Sequence, residues 1–110
     1  MDAPSTYRID IGADHPAFAG HFPARPMLPG VALVAEVLEA ASADPALVEA
    51  IGAAPRMSVV KFLAPVPPGA ILEVGFDLGA RTVAFSVRDR GRLAATGQFA
   101  RAGREEGSAR

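Results

Sequence analysis

The 110-residue sequence contains no cysteine, which excludes disulfides, thiolate metal ligands and a cysteine nucleophile and agrees with a reducing compartment. It has no dense block of basic residues, and its formal net charge is −1. Electrostatics therefore gives no reason to expect a nucleic-acid partner. No apolar run approaches the roughly 20 residues of a membrane-spanning helix. The opening MDAPSTYRID is acidic and polar, where a secretory leader needs a basic start and then an apolar stretch. A glycine-rich phosphate loop and a histidine or cysteine cluster are both missing, so neither a metal nor an organic cofactor is expected. These absences leave a water-soluble cytoplasmic protein as the expectation.

What is present is enough for one packed domain. Half of the residues are hydrophobic, and a chain of this length can build a core without staples. Neither a repeat nor a second domain is visible, so residues 1–110 read as one unit. Its core runs from about residue 6 to 101, and the polar end AGREEGSAR is expected to fray.

The pattern changes three times along the chain. TYRIDIG alternates around Tyr7, Ile9 and Ile11, as a half-buried strand does. Asp14 to Gly30 then carries four prolines and both histidines. That is too much proline for a helix or a central strand, and long irregular stretches inside a domain are usually functional. From Gly30 the sequence GVALVAEVLEAASAD, with Pro29 just ahead of it, predicts a helix to about Ala43. Only Glu36 and Glu39 mark a polar stripe on it, so other structure is expected to enclose it. Asp44 is a candidate N-cap for a second short helical turn in ALVEAIG. Beyond Pro55, MSVVKFLA, ILEVGFDL, RTVAFSVRD and RLAATGQFAR predict four strands. Turns at Pro68-Gly69, Gly79-Ala80 and Arg90-Gly91 separate the four. The whole predicts an α+β layout with a helix packed on an antiparallel sheet.

The stretch Asp14 to Val31, DHPAFAGHFPARPMLPGV, resembles the signature of the hotdog-fold 3-hydroxyacyl-acyl-carrier-protein dehydratases, the hydroxymyristoyl-carrier-protein type included. In those enzymes a GHFP loop leads through Pro-x-x-Pro-Gly-Val into a central helix. His21, Phe22, Pro23, Pro26, Pro29, Gly30 and Val31 stand at the matching spacing. VVKFLAPVPPGAILEV and the ATGQFAR ending continue the resemblance, which covers about residues 6 to 101. It implies a hotdog fold, an antiparallel sheet of about five or six strands wrapped around the helix. It also implies at least a homodimer, with two sheets joined side by side.

The implied reaction is loss of water from a 3-hydroxyacyl thioester of acyl carrier protein, giving the 2-enoyl thioester in fatty-acid or related acyl synthesis. Such a reaction needs a base, a donor to the thioester oxygen and an acid for the leaving hydroxide. An imidazole holds or releases a proton near neutral pH, so His21 is the natural base. Gly30 and Val31 open the helix, where backbone N–H groups lack partners and the dipole favours negative charge. The resemblance makes the Gly30 N–H the oxyanion donor. Phe22, Pro23, Pro29, Val31 and Val34 are the expected substrate-binding residues.

The third element departs from the pattern. The resembled enzymes carry Asp or Glu fourteen residues after the loop histidine and present it across the dimer interface; here that residue is Ala35. Glu36 is about 100° around the helix from it, and Glu39 is one turn, about 6 Å, further along the same side. Either is a candidate acid. The second reading is therefore a non-catalytic acyl-binding or partner subunit, including a heteromer whose other chain supplies the acid; a hotdog thioesterase ranks third. His15, in a turn after Asp14, is expected to be structural. Phe22, Met27, Leu28 and Val34 are expected mainly in the core, some lining an acyl tunnel. Arg25, Arg56, Lys61 and Arg81 read as scattered surface charges, the alternative being convergence at the pocket mouth to meet an acidic carrier.

Overall fold

The computed structural model describes residues 5–18 and 27–102. His21, Phe22, Pro23, Arg25 and Pro26 lie outside the described residues, as does the tail from 103 onward. In chain order the elements are β1 (Ser5–Asp10), a single 3₁₀ turn (Pro16–Phe18), α1 (Gly30–Ala41) and α2 (Pro45–Ile51). Four strands follow: β2 (Met57–Phe62), β3 (Ile71–Leu78), β4 (Thr82–Asp89) and β5 (Arg92–Ala100).

Alternation builds the sheet. Leu72, Val74 and Phe76 of β3 and Val83, Phe85 and Val87 of β4 are buried, while the residues alternating with them are less buried or exposed. Leu78 belongs to the inward set by parity but ends β3 exposed. Two residues do the work of one where β5 bulges: Val87 pairs with Ala95 and Arg88 with Leu93, so Ala94 and Ala95 are both buried. Arg90 and Gly91, at φ +53° and +87°, make the two-residue turn between β4 and β5. All four pairings are antiparallel, in the order β1-β3-β4-β5-β2. The predicted α+β hotdog architecture, five strands against a central helix, is what forms.

Helix α1 lays Leu33, Val37 and Ala41 into the same buried cluster as the inward faces of β3, β4 and β5. It stops at Ala41, two residues before the expected end. Ser42, Ala43 and Asp44 turn off through N–H bonds to Glu39, Ala40 and Ala41, and Asp44 is extended ahead of Pro45. Asp44 caps α2 as expected, its carboxylate accepting from the Ala46 N–H at 2.9 Å and from the Tyr7 hydroxyl at 2.7 Å. The expectation of an enclosed α1 fails in the single chain. Val31 is 81% exposed, and Ala35 and Glu39 below it on the same row are exposed too. The sheet covers only one side of the helix.

The two sheet edges differ. β1 shows water the ion pair Arg8–Asp10 at 2.8 Å, the kind of charge that discourages strand addition. β2 instead exposes Val59 and Phe62, with Leu63 just beyond it. No described helix is long and apolar enough to cross a membrane.

Candidate active site

Pro29 precedes α1 in an extended conformation (φ −61°, ψ 151°), and no side chain caps the helix. The first intrahelical acceptor in use is the Pro29 carbonyl, bonded by the Leu33 N–H at 3.0 Å. The N–H groups of Gly30, Val31 and Ala32 thus have no intrahelical acceptor, and the positive end of the helix dipole lies with them.

In front of this helix start is an apolar cleft of about 460 Å³, within the usual range of small-molecule pockets. Met27 to Gly30 and Leu33 form one wall, and Phe62 to Val66 form the other. The Leu28 N–H ties the walls together by donating to the Val66 carbonyl at 2.7 Å, both residues being buried. Gly30 is a glycine for a local reason. A Cβ there would lie 2.7 Å from Phe62 Cζ, so the aromatic ring reaches over the helix start only because the side chain is missing.

The expected site residues separate into three groups. Gly30 and Pro29 line the cleft, whereas Val31 does not and has an exposed side chain. Val34 is half-buried against the core and does not line the cleft. His21, Phe22 and Pro23 lie outside the described residues. Met27 and Leu28, expected mainly in the core, do line the cleft.

The two candidate acids have different surroundings. Glu39 is exposed, on the outward row of Val31 and Ala35. Glu36 is turned to another flank, where its Oε2 lies 2.7 Å from His15 Nε2; the two side chains are 25% and 21% exposed. The Ala17 N–H donates to His15 Nδ1 at 3.0 Å. Nδ1 therefore carries the lone pair, and Nε2 carries the proton given to Glu36. The Phe18 ring meets the imidazole edge-on at 6.0 Å between centroids.

Sequence reasoning did not assign the Phe62–Val66 wall. Its one signal was Phe62-Leu63, two bulky neighbours at a strand end that cannot both face inward. Of the four scattered cations, Arg25 lies outside the described residues and Lys61 precedes Phe62 in β2. Arg56 and Arg81 are held at the Ala100–Arg101 end of the sheet by backbone bonds; Phe62 ends β2 about 17 Å away along the strand. Among the described residues no three His, Asp or Glu side chains could hold a metal ion.

Comparison with known proteins decides the family. The model of the ApeI-like family, described as ApeI dehydratase, matches residues 2–98. The chain belongs to the ApeI-like dehydratase family. Among solved structures, the ApeI-like chain is similar to the dehydratase heterocomplex ApeI:P from Xenorhabdus doucetiae. Identity is 25% and the TM-score 0.69, over 89% of this chain and 86% of that one. An uncharacterized protein from Erwinia carotovora subsp. atroseptica shares 27% identity at TM-score 0.69, over 90% and 84% of the two chains. A mutant of the fluoroacetyl-CoA-specific thioesterase FlK, with fluoroacetate and CoA, shares the fold at 19% identity and TM-score 0.60, over 93% and 94%. No curated protein gives a significant match.

Proposed function

We propose that this ApeI-like chain dehydrates 3-hydroxyacyl thioesters carried by acyl carrier protein, giving the 2-enoyl thioester and water. The observation that carries the reading is the uncapped start of α1 at Gly30, opening onto an apolar cleft in a member of a dehydratase family. The acyl chain lies along the cleft, and the thioester oxygen accepts from the Gly30 N–H, where charge develops as the C2 proton leaves. His21 takes that proton. The C3–O bond then breaks, and the departing hydroxide receives a proton to leave as water. Ala35 cannot supply it. Glu39 is the better of the two candidates, because it shares the outward row of Ala35 while Glu36 is engaged by His15.

That outward row and the apolar edge of β2 support a site completed by a second chain, and a copy of this chain is the first choice. A second reading has specific support. The similar structure ApeI:P is a heterocomplex, and the carboxylate position here is Ala35. On that reading the chain binds acyl groups and works with a different subunit that brings the acid.

The test is turnover of 3-hydroxyacyl-carrier-protein by the native chain, by His21→Ala and by Glu39→Gln, with acyl-carrier binding measured beside it. Turnover lost in His21→Ala but retained binding supports the proposal. Binding without turnover by the native chain overturns it in favour of the subunit reading.

A further inference from the structure

The partly buried pair His15–Glu36 has no place in the reaction just described, and its geometry gives it another role. Glu36 is six residues into α1, about 9 Å along the axis from Gly30. Its partner belongs to the short segment that follows β1. That segment is folded on itself: the His15 N–H bonds the Gly12 carbonyl and the Phe18 N–H bonds the His15 carbonyl, each at 3.0 Å. It leaves the sheet at Ile11, whose N–H bonds the Ala70 carbonyl at 2.9 Å. Ala17 and Phe18 rest on the core. Apolar packing of this kind limits depth but not sliding along the helix. Among the described residues, the His15–Glu36 bond is the polar tie from the segment to α1 that fixes this position.

We infer that His15 and Glu36 are a positioning pair that registers the segment ending at Phe18 against α1. In the sequence the GHFP motif follows two residues later, at Gly20 to Pro23. One rigid helix then carries both the Gly30 N–H and the anchor for the chain that leads to the base. The inference rests on the dehydratase reading and gives Glu36 a role other than proton donor. The imidazole is suited to the task because both of its nitrogens are used, Nδ1 by the Ala17 N–H and Nε2 by Glu36. Its tautomer and ring plane are fixed together. Neither nitrogen is left for substrate.

The experiment compares Glu36→Gln, Glu36→Ala, His15→Ala and the double Ala variant in dehydration kinetics. Nitrogen NMR of the His15 ring is recorded beside them. A Gln amide oxygen still accepts from Nε2–H, so Glu36→Gln keeps the single Nε2–H tautomer and near-native kcat. Glu36→Ala and His15→Ala each lower kcat by about 10- to 100-fold with little change in KM, as a misplaced base does. The double variant is no worse than either single one, because both remove the same tie. A Gln variant as inactive as the Ala variant would make Glu36 a participant in proton transfer and overturn the inference. So would native kcat in all four variants. If the native chain does not dehydrate at all, the functional reading falls. The pair is then judged by the ring spectra alone: a mixture of tautomers in the native protein, or no change in Glu36→Ala, overturns it.

Discussion

Placing a carboxylate at position 35 tests the architecture of the site in one step. Ala35→Glu adds the side chain to the exposed row of Val31 and Glu39, so nothing in the core has to move. Two small costs arise in the fold. Glu is a slightly poorer helix former than Ala, by a few tenths of a kcal/mol. It also stands four residues before Glu39, and a like-charge pair at that spacing costs about 0.2–0.5 kcal/mol. Together they stay below about 1 kcal/mol, which lowers the melting temperature by less than about 8 °C in a domain of this size. The gain is in chemistry. A positioned general acid contributes typically about 10²- to 10⁴-fold, so dehydration of 3-hydroxyacyl-carrier-protein rises by at least about tenfold if Glu39 and water are poor substitutes. The assay is product formation by mass spectrometry, with a thermal melt on the same sample. Unchanged turnover in a variant that melts within the stated range would refute the claim that position 35 faces the reacting hydroxyl across an interface.

Three further outcomes follow from the packing. Asp44→Ala removes the α2 cap and the Tyr7 hydrogen bond, at about 2 kcal/mol in all; thermal melts show a drop of about 8–16 °C, and Asp44→Asn recovers most of it. Gly97→Ala places a methyl 2.5 Å from Phe85 Cζ and 2.9 Å from the Val59 carbonyl. Phe85 is buried and cannot swing away, so denaturant unfolding shows a loss of about 1–3 kcal/mol. Val59→Lys charges the exposed apolar edge of β2; on the proposal that a second copy pairs there, sedimentation shows a lower mass for the variant than for the native chain, while a melt unchanged in low-concentration samples shows that the fold itself is intact.

Much of this fold was legible because each strand carries its own signal. ILEVGFDL puts Leu72, Val74 and Phe76 on alternate positions, and β3 runs over those same eight residues. Pro29-Gly30 marks the start of α1 because proline fits ahead of a first turn and Phe62 needs the missing side chain. The end of α1 was less legible, since Ala40 to Ala43 favour helix and only Asp44-Pro45 downstream stops it. Partners in space were not legible at all. His15 and Glu36 are 21 residues apart, and no local pattern announces that the turn after β1 lands on that flank of α1. The wall formed by Phe62 to Val66 was hidden for a similar reason: β2 joins the sheet beside β5 rather than beside β3, which carries its end to the start of α1. The motif itself told most about chemistry, and its clearest departure, Ala35, became meaningful once Val31, Ala35 and Glu39 were seen to share an outward row.

The measurement that bears most directly on the central claim is the mass of carrier-bound product after incubation of the native chain with 3-hydroxyacyl-carrier-protein. Loss of one water from the acyl group, abolished by His21→Ala, is the predicted result. Recovery of the substrate mass unchanged, or of free carrier protein with the acyl group hydrolysed away, would contradict the account; the second result would identify a thioesterase instead.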